Sequence, residues 1–228
     1  KGKSRDKGVE EISFNDLVGD LAQHLVKQDF YLNPKLGEGD LLIMVHYGAT
    51  DYEEDMMDLM GMVNLGDITN ADLGNIEIGS AEAFDLSGSL NSALGMQQAI
   101  NSGGPITRQE KAQILGLDGI YDKPSHMTSD YEYEQMMRKA RYFVVLMAYD
   151  YQLFRKKDEA KLLWSTRYNI RTPGQSFETA IKEMNIVASD YFGKNFKKLT
   201  RKRSDDKSSV EIGEIEVIEN IPSDTDSN

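Results

Sequence analysis

The chain has 228 residues, 39% of them apolar, with a formal net charge of −12 and a pI of about 4.8. That negative charge speaks against a surface that grips nucleic-acid phosphates. The absence of cysteine removes disulfides, thiolate metal sites and cysteine nucleophiles together, and no apolar run approaches the roughly 18 residues that would span a membrane.

Residues 1–11, opening KGKSRDKG on Lys1, are charged and glycine-containing and are expected to form a flexible arm. An opening of this kind without methionine fits a processed or truncated chain, removal of a signal peptide being one route. Phe14, Leu17, Val18, Leu21, Ala22 and Leu25 then recur at helical spacing behind Ser13, a good N-cap, and predict a helix ending near Asp29. After the loop NPKLGEGD, the segment DLLIMVHY is too continuously apolar for a half-exposed strand. It predicts a strand covered on both faces and therefore central in a sheet.

From residue 51 to about 135 the character changes. Met56, Leu59, Met60 and Val63 share one helical face, and Leu86, Leu90 and Leu94 recur at four-residue spacing. Thr107 and Glu110 make a capping box ahead of Gly116. The expectation is a mostly helical insertion of short helices, each dependent on tertiary packing, with no strand.

The sheet is expected to resume at residues 142–151, nearly all aromatic or aliphatic. The segment RKKDEA reads as a polar turn, and KLLWSTRYNIR as a second strand of a long antiparallel hairpin, polar on one face. Beyond TPGQS, Phe177, Ala180, Ile181, Met184, Val187, Ala188 and Tyr191 trace one helical stripe that stops at Gly193. Five basic residues fall between positions 197 and 203, and the last 25 residues reverse sign with eight acids against Lys207. Within that charged tail, 201–228, the alternation of SVEIGEIEVIENI allows an edge strand. The expected architecture is a single α+β domain over 12–200. It has a small mixed or antiparallel sheet with a long hairpin, helices on one face and the insertion after the first strand.

Several residues carry possible chemistry. His46 at the end of the first strand, followed by Asp51, Glu53, Glu54 and Asp55, has the makings of a general base with an orienting or metal-holding acid. Two plainer accounts compete and are preferred. A lone histidine in an unbroken apolar strand is more often a buried residue, and acids at a helix start complement its dipole. His24 and His126 stand in no zinc-type spacing, DITNAD lacks the glycine and closing glutamate of a calcium loop, and NSGGP lacks the lysine of a P-loop. No metal, no cofactor and no nucleophile motif are expected. Met56, Met57, Met60 and Met62 offer an adaptable apolar surface for a partner, with loose core filling as the plainer alternative. Trp164 with Tyr142, Tyr149, Tyr151 and Tyr168 could wall a small-ligand pocket, although aromatics on paired strands are more often core. The basic run could meet an acidic partner or the chain's own tail.

The blocks KQDFYLN, GDLLIMVHYG, FVVLMAYDYQ, KLLWSTRYNIR and SFETAIKEMNIVASDYFG, with Asp40, Asp150 and the Leu163–Trp164 step, resemble lipoprotein-type domains of unknown function in bacterial cell envelopes. The resemblance covers about half the chain, in 12–50 and 140–193, and rests on fold-supporting features. It implies an α/β sandwich in an exported protein, in the periplasm or at the outer membrane, and carries over no functional residue. The long insertion, the acidic tail and the lack of a lipid-bearing cysteine depart from the pattern. The leading expectation is a non-enzymatic protein that binds another protein or an envelope component. The competing expectations are a hydrolase built on His46 and its acids, and a carrier beside Trp164, with the cytoplasm as the alternative location.

Overall fold

A computed structural model of the chain describes residues 7–35, 37–52, 75–79, 108–117, 134–172, 176–194 and 200–203. Five strands form one antiparallel sheet: β1 (Leu41–Ala49), β2 (Asn75–Gly79), β3 (Arg141–Asp150), β4 (Leu162–Arg171) and β5 (Thr200–Arg203), in the order β1-β3-β4-β2-β5. The helices are α1 (Lys7–Glu11), α2 (Phe14–Val26), α3 (Arg108–Leu115), α4 (Tyr151–Lys157) and α5 (Phe177–Ala188). The fold is α+β, and among the described residues no helix is long and apolar enough to cross a membrane.

The hairpin of β3 and β4 is the centre of the sheet. Every residue of β3 from Arg141 to Tyr149 is buried. Alternation then sorts the side chains. Tyr142, Val144, Leu146 and Ala148 of β3 join Trp164, Tyr168 and Ile170 of β4 beneath α2 and α5. Into this layer α2 sends Leu17, Leu21 and Leu25, and α5 sends Phe177, Ala180, Ile181, Met184, Val187 and Ala188, the stripe read from sequence. The Ser176 hydroxyl caps α5 by accepting from the Thr179 N–H at 3.3 Å. Gly193 closes the following turn at φ +76°, where a Cβ would stand 2.7 Å from the Phe30 ring.

Several expectations change. The strand expected to run to Tyr151 ends at Asp150, and a helix, α4, takes up Tyr151–Lys157 and the first half of the turn RKKDEA; Asp150 caps it, accepting from the Leu153 N–H at 2.8 Å. Residues 7–11 are helical, and Val9 is buried in the core. Its neighbours are charged, so composition suggested an arm, while the buried Val9 joins the turn to the main core. The insertion contains a strand, β2, which slots between β4 and β5 with Ile76 and Ile78 fully buried. Five residues, preceded by Gly74 and ending on Gly79, are too short to declare themselves by period, and the neighbouring ladders supply what propensity does not. Finally, β1 is not central. Among the described residues it pairs with β3 alone and lies at the edge of the sheet. The strand observed near the C-terminus, β5, falls in the basic run; the segment SVEIGEIEVIENI lies outside the described residues.

The helices are not confined to one face as the sequence suggested: α3 lies on the second face of the sheet. Its Ile114 packs on Phe143, Val145, Met147 and Tyr149. Polar groups share this face: Arg141 bonds the Asn169 side chain, and Arg167 donates to the Gln113 carbonyl of α3 at 2.6 Å. The polar side of β4 seen in the sequence is therefore an interior face, where Arg167 and Asn169 donate to backbone carbonyls of α3, and not a solvent face.

Candidate functional site

β1 is the described element whose composition and position disagree. LLIMVHYGA contains no charge and no proline, yet nine residues of it form the sheet's edge. Natural edges are usually short, charged, bulged or broken by proline, because unpaired N–H and C=O groups recruit another strand. The ladder to β3 runs unbroken from Leu41↔Asp150 to Ala49↔Tyr142. It is bracketed by Tyr151 N–H donating to the Asp40 carbonyl at 2.9 Å and Thr50 N–H donating to the Arg141 carbonyl at 2.8 Å. In an antiparallel pair, residues turn their backbone groups toward and away from the partner alternately. Positions 40 and 50 face β3, so Leu41, Ile43, Val45, Tyr47 and Ala49 face outward. Their side chains lie on the α2 side, where Ile43, Val45 and Ala49 pack against the core but remain only partly covered.

His46 points to the opposite face. It is 8% exposed, its Nε2 has no hydrogen-bond partner among the described residues, and burial holds its pKa below the usual histidine range. Asp51 is exposed, and its backbone carbonyl accepts from Lys111 Nζ at 2.7 Å. Five residues of extended chain, roughly 15 Å, separate it from His46, so the structure does not bring the two together. Glu53, Glu54, Asp55, Met56, Met57, Met60 and Met62 lie outside the described residues, as does His126. His24 is buried on α2, with Lys27 Nζ 3.2 Å from its Nδ1 and Asp20 4.0 Å from its Nε2. Among the described residues no three metal-ligating side chains gather.

The aromatic strands are core. Trp164 packs on Phe30 with ring centroids 5.3 Å apart, Tyr142 meets Phe177 edge-on at 5.2 Å, and Tyr168 lies 6.0 Å from Phe192. A cleft of about 460 Å³ opens elsewhere, between α1, α2 and the start of α5. It is lined by Glu11, Asp16, Asp20 and Glu178 against one base, Lys182, which bonds Glu178 at 2.8 Å.

Behind that cleft runs a polar chain that the sequence did not suggest. Tyr168, fully buried, donates its hydroxyl to Asn185 Oδ1 at 2.6 Å, and Asn185 Nδ2 donates to Asp20 Oδ2 at 2.7 Å. Burial, helped by the Asp20 charge, pushes the Tyr168 hydroxyl well above the usual tyrosine range. The available signal was local: Asp20 and Asn185 each sit beside an apolar stripe residue, Leu21 and Met184, on the inner side of their helices. The chain joins α2, α5 and β4, which is a structural task.

Comparison with protein-family models, with characterised proteins and with solved structures finds no match to this chain.

Proposed function

We propose that this chain is a non-enzymatic protein-binding domain that engages its partner by strand addition along the outer edge of β1. The observation that carries the reading is a nine-residue, uncharged strand at a sheet edge, with five residues turned outward. Main-chain pairing supplies affinity in this mode, and the half-covered side chains of Ile43, Val45 and Ala49 supply apolar area. The enclosure of His46 and its distance from Asp51 favour the binding reading over the hydrolase. The proposed setting is the bacterial cell envelope, supported by the resemblance of the strand and helix blocks to lipoprotein-type domains.

The test is capture of partners from the native envelope with the parent chain and with Val45→Pro. Proline removes one outward N–H and is tolerated at a free edge, so the ladder to β3 should persist. Retained thermal unfolding with loss of captured partners is the expected result. An unchanged partner set removes the edge as the contact.

A further inference from the structure

Resting on that reading of the β1 edge, we infer that its occupant is a second copy of this chain, joined β1 to β1 about a two-fold axis through Val45. Three features lead there. The first is hydrogen-bond closure. With antiparallel copies centred on Val45, Leu41 pairs with Ala49 of the second copy, Ile43 with Tyr47, and Val45 with Val45. All these positions are outward-facing, so the five pairs exchange ten backbone bonds and leave no outward group of β1 unpaired. A slip of two residues strands groups at both ends, and a slip of one opposes outward positions to inward ones. Ten direct bonds is about the complement of a standard protein interface.

The second is shape. In this register Leu42, an exposed large apolar residue, stands opposite Gly48, and Leu41 opposite Ala49. Large meets small at both ends, and Val45 meets itself at the centre. Ile43, Val45 and Ala49 continue the core of one copy into the core of the other.

The third is charge. Two chains of formal charge −12 repel, yet β1 itself carries none. The nearest flanking acids also escape like-charge opposition. The register sets Asp40 against Thr50 and Asp51 against Gly39. A closed two-fold pairing is the commonest form of homo-oligomer.

The size of the contact sets its class. Nine residues at about 3.4 Å each give an edge about 30 Å long, and a sheet layer is about 10 Å deep. The strand pair therefore covers about 300 Å² per copy, well below the roughly 800 Å² per partner of a standard stable interface. A contact this small belongs with weak, reversible associations, and salt that screens the acidic bodies strengthens it.

Sedimentation of the parent chain across the micromolar range should show a monomer–dimer equilibrium that shifts toward dimer in high salt. Val45→Pro should sediment as monomer while melting like dilute parent chain. The lack of cysteine allows a register test without background. Val45→Cys places two thiols across an ordinary hydrogen-bonded pair, within disulfide reach, and should cross-link on mild oxidation. Ile43→Cys, equally near the edge, places them four residues apart, about 13 Å, and should not.

A parent chain that stays monomeric at high micromolar concentration overturns the inference, as does equal cross-linking at both positions. Amide hydrogen exchange separates the two levels of the proposal. A monomer whose Val45 amide gains protection only when envelope extract is added retains strand addition and removes the second copy. A monomer whose Val45 amide is already protected in isolation sinks the free edge itself.

Discussion

Replacing Tyr168 by phenylalanine tests whether α2, α5 and β4 are joined by the buried polar chain. The ring stays, so no cavity opens, and the loss is a single donor. Asn185 Oδ1 then faces an apolar interior at 1% residue exposure with the 2.6 Å partner gone. Leaving a buried acceptor unsatisfied costs about 1–3 kcal/mol. For a domain of this size each kcal/mol moves the midpoint by about 2–4 °C, so melting should fall by about 2–12 °C. Asn185→Leu removes the acceptor and frees Asp20, which lines the open cleft and finds water. Tyr168→Phe combined with Asn185→Leu should then cost less than the two changes added, with a coupling of about 1 kcal/mol or more. Urea unfolding followed by the fluorescence of Trp164, the single tryptophan, measures all four corners. A second readout comes from alkali. The folded hydroxyl titrates well above its unfolded value, so its contribution is intact below the unfolded pKa near 10. It is lost as pH rises through the higher folded value. The phenylalanine chain should lack that alkaline slope. Unchanged stability of the single variant within about 0.5 kcal/mol, or strict additivity in the double, would refute the chain of bonds.

Three further outcomes follow from the same structure. Ile78→Ala should destabilise by about 2–5 kcal/mol in denaturant unfolding, because a fully buried side chain of β2 is emptied from the main core; a surface-like response would remove β2 from the sheet. Asp150→Ala should cost about 0.5–2 kcal/mol by exposing the Leu153 N–H at the start of α4, and Asp150→Asn should recover most of it. For His46 the sign runs opposite to Tyr168. Its folded pKa is depressed, so its stability contribution is present above the unfolded value near 6.5 and is lost as pH falls toward the folded one. The parent should therefore lose stability relative to His46→Phe as pH falls across that window. A difference that stays flat with pH would place the imidazole in water.

Among the described residues, the longest patterns appear as elements where the sequence placed them, and so does the short helix ahead of Gly116. The stripe from Phe177 to Ala188 is buried as periodicity nominated, and the apolar run is buried from Tyr142 to Tyr149, two residues short of its expected end. Other short elements were decided elsewhere. β2 has five residues and takes its strand form from β4 and β5 on either side, and the buried Val9 joins a charged turn to the main core. The candidate site divides in the same way. The apolar character of β1 was plain, and the enclosure of His46 was the preferred reading. Its place at the edge was not legible, because an uncharged run looks alike whether the next strand belongs to the same chain or to another.

Sequence alone determined which segments must leave water, since that depends on side-chain type and period, both local properties. It also determined that disulfides and thiolate metal sites are impossible here, because the atoms are missing. Tertiary structure decided strand order, the covering of the polar face of β4 by α3, and the chain from Tyr168 through Asn185 to Asp20. Those outcomes depend on which distant segments meet, and a backbone amide carries no record of its partner until the chain has closed around it.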